Sequence, residues 1–144
     1  MGISAMLEAA DMVMAGKHVE IVQDESNASY EGWCREAEAR IHWPNHVDFI
    51  HNLIRGCNPA PGAWTTFNGK KLQIFDCRKH LVRTFGAVKG KIGEVSEITE
   101  SGFFVTAQGG RIEILRAKTD DTKKLPANEL AAVLGLSVGA QLGN

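Results

Sequence analysis

Apolar residues in the first part of the chain recur at helical spacing. Residues 3–15 predict an amphipathic helix, with Ser4 as its N-cap and Gly16 as its C-cap. The apolar side chains that share one face of this helix are Ile3, Met6, Leu7, Ala10, Val13 and Met14. Residues 17–29 are mostly polar, and the closely spaced charges of residues 30–43 predict a solvated, partly helical connector.

A second helix is predicted over residues 46–55. Its apolar stripe consists of Val47, Ile50, Leu53 and Ile54. Asn45 and Asp48 resemble a capping box at its start, although Asp stands where Glu is usual. Gly56 follows the last helical residue, so we expect it to adopt the left-handed conformation that ends many helices.

The pattern changes to strand-like alternation after residue 62. Asn68 and Gly69 separate two apolar runs and predict a tight hairpin. The predicted strands are residues 63–67, 70–77, 91–98, 103–108 and 111–117. An open sheet would expose its edges, so these strands predict a small closed or nearly closed barrel. Residues 78–90, between the second and third strands, predict a basic loop.

The end of the chain predicts a short helix over residues 126–134, because Pro126 suits the first turn of a helix. The glycine-rich residues 135–144 are expected to be loosely held. The fold class is therefore α+β, with a helical lead-in, a small β-barrel and a short C-terminal helix. The corresponding boundaries are residues 1–62, 63–118 and 119–144.

Charge is unevenly distributed in a chain whose composition is typical of a soluble globular protein. The net charge is −1, but residues 1–63 carry four Lys or Arg against nine Asp or Glu, and residues 64–118 carry ten against five. The basic block favours an anionic partner. No run of roughly 18 apolar residues and no secretory signal pattern is present, which predicts a cytoplasmic protein without a membrane partner.

The cysteines and histidines do not predict a metal site. Cys34, Cys57 and Cys77 are an odd number without paired ligand spacing, which argues against a disulfide framework and fits a reducing cytosol. Three histidines fall within ten residues, but their spacing does not place them on one helix face. Cys57 follows a helix C-terminus, where the helix dipole raises the pKa of a thiol, so we expect a partly buried residue and not a nucleophile.

The densest cationic stretch lies at and after the end of the predicted hairpin. Its members are Arg78, Lys79, His80, Arg83, Lys89 and Lys91. The first interpretation is a solvated loop, and the alternative is contact with a phosphate backbone, which positions a nucleic acid without reading its bases. Phe85 is the only aromatic residue among them, so support for base stacking is weak. Three further cations, in or just after the last predicted strand, either extend this patch or face water; they are Arg111, Arg116 and Lys118.

A stiff joint links the second helix to the first strand. Its residues are Arg55, Gly56, Asn58, Pro59, Pro61, Gly62 and Trp64. Each proline fixes its own φ and disfavours a helical conformation in the residue before it. We favour a structural joint over direct substrate contact, and we favour Arg55 as a partner of the helix dipole over a role as an anion contact.

Several of these segments resemble the formyltransferase family that uses 10-formyltetrahydrofolate. The matching runs are SYEG at 29–32, ARIHW at 39–43, IHNLIRG at 50–56 and PGAW at 61–64. The family includes methionyl-tRNA formyltransferase, the hydrolase part of 10-formyltetrahydrofolate dehydrogenase and sugar-nucleotide formyltransferases. The resemblance is clear over residues 3–76 and continues to about residue 118, and it implies an OB-like barrel.

The resemblance also implies that residues 1–62 contain the end of a catalytic domain and a helical connector. It places the catalytic residues and 10-formyltetrahydrofolate in that preceding domain, so no catalytic, cofactor-binding or metal-binding residue is assigned to this chain. We expect the chain alone to be inactive, with its own catalytic domain as partner.

Two roles remain for the barrel. Residues 29–64 look most like the dehydrogenase's hydrolase part and favour a scaffold for the catalytic domain, which is the interpretation we prefer from the sequence. The alternative is the tRNA-binding C-terminal domain of a methionyl-tRNA formyltransferase, which the basic block favours. In that role the contacts to the tRNA acceptor arm are expected from Arg78, Lys79, Arg83, Lys89 and Lys91.

Overall fold

The structure is a computed structural model that describes residues 2–83, 88 and 90–143. The chain divides into two compact units, Met1–Gly32 and Trp33–Asn144. The first unit contains α1 (Gly2–Met14) and a short 3-10 helix (Glu25–Asn27). Within this unit every side chain of α1 is exposed, including those of the predicted apolar face.

The predicted limits of α1 are confirmed at one end only. The helix begins at Gly2, so Ser4 lies inside it and is not its N-cap. Gly16 has a φ of +64° and its N–H donates to the carbonyl oxygen of Val13 at 3.1 Å, as expected of a glycine that ends a helix.

The second unit is an antiparallel sheet with two helices packed on it. Its elements are α2 (Val47–Gly56), β1 (Ala63–Phe67), β2 (Lys70–Leu81), β3 (Val95–Ile98), β4 (Phe103–Ala107), β5 (Gly110–Thr119), β6 (Leu125–Pro126) and α3 (Ala127–Leu134). The strand order is β1-β2-β5-β4-β3, and β6 pairs with β5. Helix α2 packs on β2 and β5, and α3 packs mainly on β5. The predicted α+β class is confirmed.

The hairpin is confirmed, but its second strand is longer than predicted. Asn68 and Gly69 both have positive φ, as a two-residue hairpin turn requires. Strand β2 continues to Leu81, which pairs with Gly110 of β5. The prediction of a loop is therefore wrong for residues 78–81, because pairing with the neighbouring strand satisfies their backbone hydrogen bonds.

The ends of α2 differ from the prediction. His46 is the N-cap, and its imidazole accepts a hydrogen bond from the Asp48 N–H at 3.3 Å, so Asn45 does not provide the cap. Gly56 is the last helical residue and does not adopt the left-handed conformation, because the chain continues through Cys57 in a right-handed conformation.

The connector at residues 30–43 contains turns at residues 36–39 and no helix. Arg40 instead forms a parallel bridge with Trp64, in which the Trp64 carbonyl accepts from the Ile41 N–H at 2.8 Å. The predicted helical character of this segment is wrong, because its local hydrogen bonds close only a turn at Ala39 and Arg40, after which the Ala39 carbonyl and the Ile41 N–H bond to Trp64 of the first strand.

The glycine-rich end of the chain is held against the barrel, so the expectation of a loose tail is wrong. Leu142 is buried, and its N–H donates to the Gly93 carbonyl at 2.9 Å. The Gly143 N–H donates to the Thr66 carbonyl of β1 at 2.8 Å. The tail thus bridges edge strand β1 and the segment before β3, which nearly closes the barrel.

The described residues contain no helix that has both the length and the apolar character needed to cross a membrane.

Candidate nucleic-acid interface

Strands β2 and β5 present one side to the core and the other side to the surface. Leu72 and Ile74 of β2, with Ile112 and Ile114 of β5, are buried in the core. Successive side chains of a strand alternate between the two sides of a sheet. A bulge near Phe75 shifts the register but keeps this division. The side chains that alternate with the core residues therefore form one outer surface.

Cations dominate this outer surface. Trp64, Gln73 and Lys118 form one row across β1, β2 and β5. Further along the same β2–β5 pair, Arg116 lies opposite Asp76. The cations on and beside this surface are referred to as the basic face. They are Arg40, Lys71, Arg78, Arg116, Lys118 and Lys124.

Two lysines of the basic face lie over one aromatic ring. The ammonium nitrogen of Lys124 is 3.8 Å from the centre of the Phe75 ring, and that of Lys118 is 5.9 Å from it. Cation–π contacts of this kind contribute about 0.5–1 kcal/mol at exposed sites. These contacts hold the ammonium groups of Lys118 and Lys124 together over Phe75 on the outer surface of the sheet.

A second aromatic residue supports the neighbouring cations. The guanidinium of Arg40 lies 5.3 Å and the ammonium of Lys71 lies 5.4 Å from the centre of the Trp64 ring. The Trp64 indole N–H donates to the Glu36 carbonyl oxygen at 2.7 Å, and the Glu36 carboxylate pairs with Lys71 at 2.5 Å. Arg40 is thus the more available of the two cations.

The basic face borders a cluster centred on Glu113, a carboxylate that is only 5% exposed. His80 Nε2 lies 2.8 Å from one carboxylate oxygen, and the Ser101 hydroxyl donates to the other at 3.0 Å. Burial would raise the pKa of Glu113, but the contacts with His80 and Ser101 and the charge of nearby Arg78 lower it below its ordinary value of 4.5.

The same cluster contains a third aromatic ring that lies beneath a cation. The guanidinium of Arg111 lies 4.7 Å from the centre of the Phe104 ring and pairs with Glu97 at 2.9 Å. The His80 ring also packs on Phe104, with ring centres 5.1 Å apart. Arg111 is neutralised by this pairing and adds little charge to the basic face.

The cationic stretch predicted from the sequence is divided between two surfaces. Arg78 lies opposite Glu113 on the outer side. Lys79 lies on the side of α2, where its ammonium is 2.5 Å from the Asp48 carboxylate and, as the main cause, lowers the pKa of that carboxyl. Arg83 and Lys91 are exposed beyond the strand. The remaining member, Lys89, lies outside the described residues.

The joint lies beside the basic face. The Pro61 carbonyl accepts a hydrogen bond from the Gln73 side chain at 3.1 Å, and the Gly62 N–H donates to the Cys57 carbonyl at 2.8 Å. A Cβ on Gly62 would lie 3.3 Å from the Phe75 ring, so the loop lies directly on that aromatic residue. The peptide bonds before Pro59 and Pro61 are cis.

The other predicted joint residues are at the surface. Arg55 lies in the last turn of α2 and is exposed, in a position where its charge interacts favourably with the C-terminal end of the helix. Gly56, Asn58 and Pro59 are exposed as well.

The histidines take separate structural positions. His42 is exposed, His46 caps α2, and His51 has a buried Nδ1 without a hydrogen-bond partner. Burial, followed by the charges of nearby cations, lowers the pKa of His51. No group of three potential metal ligands occurs within residues 2–83, 88 and 90–143.

Several residues of this surface were not identified from the sequence. Phe75, Phe104 and Trp64 each lie beneath a cation. From the sequence, Trp64 was identified only as a joint residue, and the one aromatic residue placed among the cations was Phe85, which lies outside the described residues.

Lys71 and Lys124 were also missed. The period-two alternation of β2 places Lys71 and Phe75 on the side opposite Leu72 and Ile74, so the sequence pattern could have identified these two residues. It could not identify Lys124, which lies in the connection between β5 and β6.

Comparison with known proteins finds a match to the family described as formyl transferase, C-terminal domain, over residues 34–134. Methionyl-tRNA formyltransferase of Syntrophomonas wolfei is 34% identical over 100% of this chain and 45% of its own length. The human mitochondrial 10-formyltetrahydrofolate dehydrogenase is 29% identical over 89% of this chain and 14% of its own length. The chain thus spans less than half the length of the relatives it matches.

A solved structure of a HypX variant from Aquifex aeolicus has a similar fold. Its TM-score is 0.70 at 18% identity, and the match covers 96% of this chain and 24% of that protein. A HypX structure in complex with tetrahydrofolic acid gives a TM-score of 0.66 at 20% identity. At this level of identity the comparison establishes a shared fold.

Proposed function

Because the chain belongs to the formyl transferase C-terminal domain family, we propose that it is the tRNA-binding domain of a methionyl-tRNA formyltransferase. In this proposal the basic face contacts the phosphate backbone of the tRNA. The observation that carries it is the arrangement of Arg40, Arg78, Arg116 and Lys118 on the outer side of the barrel, beside the joint.

Physical chemistry supports a nucleic-acid ligand for such a surface. Several cations on one face release counterions when they neutralise phosphates, which gives sequence-independent affinity. Lys118 and Lys124 are already ordered over Phe75, so less side-chain entropy is lost when they bind. Contacts to phosphates position a nucleic acid and do not read its bases. Selection of one tRNA is therefore assigned to other parts of the whole protein.

The comparisons support this role better than the scaffold role that residues 29–64 favoured. Methionyl-tRNA formyltransferases from seven bacteria match 88–100% of the chain at 29–34% identity, whereas one dehydrogenase among the relatives compared matches 89% at 29%. Formyl transfer from 10-formyltetrahydrofolate is proposed for the whole protein, on a catalytic domain outside this chain. The chain alone is proposed to be inactive and to act with that domain.

The test is titration of the 144-residue chain with initiator tRNA at low and at moderate salt, followed by fluorescence anisotropy. We expect an affinity that falls steeply with salt, and a log–log salt slope that Arg78→Gln reduces by about 0.7–0.9 for the loss of one phosphate contact. Lys79→Gln is the matched control, since it removes the same charge from the next residue but on the side of α2.

Three results would contradict the proposal. The first is that the chain does not bind tRNA at low salt, and the second is that its affinity does not change with salt. The third is that Lys79→Gln lowers the affinity for tRNA more than Arg78→Gln does. The first result, combined with measurable association with a separately expressed catalytic domain, would favour the scaffold role.

A further inference from the structure

Two of the three thiols lie next to each other at the joint. The sulfur atoms of Cys34 and Cys57 are 3.6 Å apart, although the residues are 23 positions apart in the sequence. Cys34 is exposed, whereas Cys57 is 2% exposed. Both belong to the second compact unit. The odd number of cysteines and the absence of a paired spacing gave no indication of this arrangement.

Hydrogen bonds anchor the backbone of Cys57 and that of Arg35, the residue after Cys34. The Cys57 N–H donates to the Leu53 carbonyl at 2.9 Å, and its own carbonyl accepts from Gly62. On the other side, the Arg35 N–H donates to the Glu38 carboxylate at 2.9 Å. The two sulfurs, 3.6 Å apart, therefore face each other between anchored segments, and a disulfide requires them to approach to about 2 Å.

We propose that Cys34 and Cys57 form a reversible disulfide, which makes the joint a site of redox modification by small disulfides of the glutathione type. The reaction is a two-step thiol–disulfide exchange. The Cys34 thiolate attacks oxidised glutathione, so that a mixed disulfide forms and one glutathione thiolate leaves. The Cys57 sulfur then attacks the Cys34 sulfur and releases the second glutathione.

The exchange is balanced. Two protein thiols are oxidised to one disulfide, one glutathione disulfide is reduced to two glutathione molecules, and the two protein protons are taken up by the glutathione thiolates. In a reducing cytosol the pair remains as thiols, and a shift of the glutathione pool toward its oxidised form drives the reaction.

Exposure assigns the order of the two steps. Cys34 is accessible to a small disulfide, whereas Cys57 is covered by the core. Burial, together with the adjacent Cys34 thiol, raises the pKa of Cys57 to about 11, which argues against Cys57 as the first nucleophile. Its position 3.6 Å from the Cys34 sulfur makes it the thiol that resolves the mixed disulfide. Cys77 is buried in β2, and burial raises its pKa to about 12, so it serves as the unreactive reference.

The disulfide would fix the segment that enters the second unit. Cys34 lies two residues before Glu36, which contacts Trp64 and Lys71 at the edge of the basic face. Linking Cys34 to Cys57 ties this segment to the first residue after α2. The redox state of the two cysteines therefore controls how far the segment from Cys34 to Glu36 can move relative to the joint.

The test is incubation of the reduced full chain with oxidised glutathione, followed by intact mass spectrometry and non-reducing peptide mapping. Wild-type and Cys77→Ser chains are expected to lose the mass of two hydrogen atoms and to give one peptide linked through residues 34 and 57. Cys57→Ser is expected to stop at a stable glutathione adduct on Cys34. Cys34→Ser is expected to remain unmodified, and dithiothreitol should restore the starting mass.

Any of three outcomes would overturn the proposal. The first is a wild-type chain that keeps a glutathione adduct on Cys34 with Cys57 as a free thiol. The second is a disulfide that involves Cys77, and the third is an unmodified wild-type chain under conditions that label Cys34 with an alkylating reagent.

Discussion

His80 and Glu113 lie diagonally across strands β2 and β5, with His80 Nε2 2.8 Å from Glu113 Oε2. The Ser101 hydroxyl donates a hydrogen bond to the second carboxylate oxygen at 3.0 Å. A buried carboxylate is costly without such partners, and both of its oxygens have one. The three residues therefore join three parts of the chain: β2, β5 and the turn before β4.

The first prediction concerns the stability of the chain in acid. The contacts of Glu113 lower its pKa below 4.5, so the folded state binds its proton less readily than the unfolded state. The stabilisation is present above the ordinary pKa and is lost as the pH falls through the lowered pKa. We expect Glu113→Gln to cost about 1–3 kcal/mol at pH 7 and progressively less in acid, measured by urea unfolding as a function of pH.

Glu100→Gln is the control, because Glu100 is exposed in the turn between β3 and β4, away from any helix end. It should change the unfolding free energy by less than about 0.5 kcal/mol at neutral pH. A Glu113→Gln variant that loses as much stability at pH 3 as at pH 7 would show that the cost comes from packing and not from ionisation.

Local sequence patterns predicted much of the fold. The Asn68-Gly69 turn and the alternation on either side of it identified the hairpin, because both features act between near neighbours. The extension of β2 to Leu81 was missed because it depends on pairing with Gly110, which lies far along the chain. Glycine-rich composition likewise predicted a loose tail, although tertiary hydrogen bonds hold it.

The second prediction tests the role of that tail. Leu142 is 2% exposed within the core, so Leu142→Ala should lower the unfolding free energy by about 2–5 kcal/mol. Val138 is 61% exposed in the same tail, and Val138→Ala should change it by less than about 0.5 kcal/mol. The measurement is the midpoint of urea unfolding. Equal effects of the two substitutions would mean that the tail is detached from the barrel in solution.

The third prediction compares two glycines with similar backbone conformation. Gly69 and Gly109 have φ of +74° and +79°, but a Cβ would meet open space at Gly69 and would overlap the His46 ring at Gly109. Gly69→Ala should cost about 1–2 kcal/mol because a left-handed conformation is strained for alanine. Gly109→Ala should lower the free energy of unfolding by about 1 kcal/mol more than Gly69→Ala. The added methyl group would displace the His46 ring, which caps α2.

Thermal unfolding monitored by circular dichroism measures both costs. Equal shifts of the melting temperature would show that the His46 ring moves aside freely and that its cap contributes no stability.

The candidate interface was less predictable than the fold. Arg78 and Lys79 are adjacent in the sequence, and only their assignment to a strand reveals that they face opposite sides. A loop assignment treats them as one patch. The cation–aromatic contacts at Phe75 and Trp64 were also missed, because they join residues from separate segments such as Lys124 and Arg40.

The fourth prediction concerns thiol reactivity in the fully reduced chain. Alkylation requires the thiolate, and the pKa values of Cys57 and Cys77 are raised to about 11 and about 12, chiefly by burial. We expect iodoacetamide at pH 8 to modify exposed Cys34 at least about tenfold faster than either buried thiol. Peptide mapping after timed quenching gives the three rates.

Raising the pH separates burial from ionisation. If the Cys57 sulfur is reached in the folded chain, its rate should increase about tenfold for each pH unit below its pKa. Urea at pH 8 is the control, since unfolding should bring all three rates to within about threefold of one another. The hydrogen bond from the Trp64 indole to Glu36 holds the segment that contains Cys34 beside the joint. If iodoacetamide labelled Cys57 as fast as Cys34 in the folded chain, this segment would have to move away from the joint in solution.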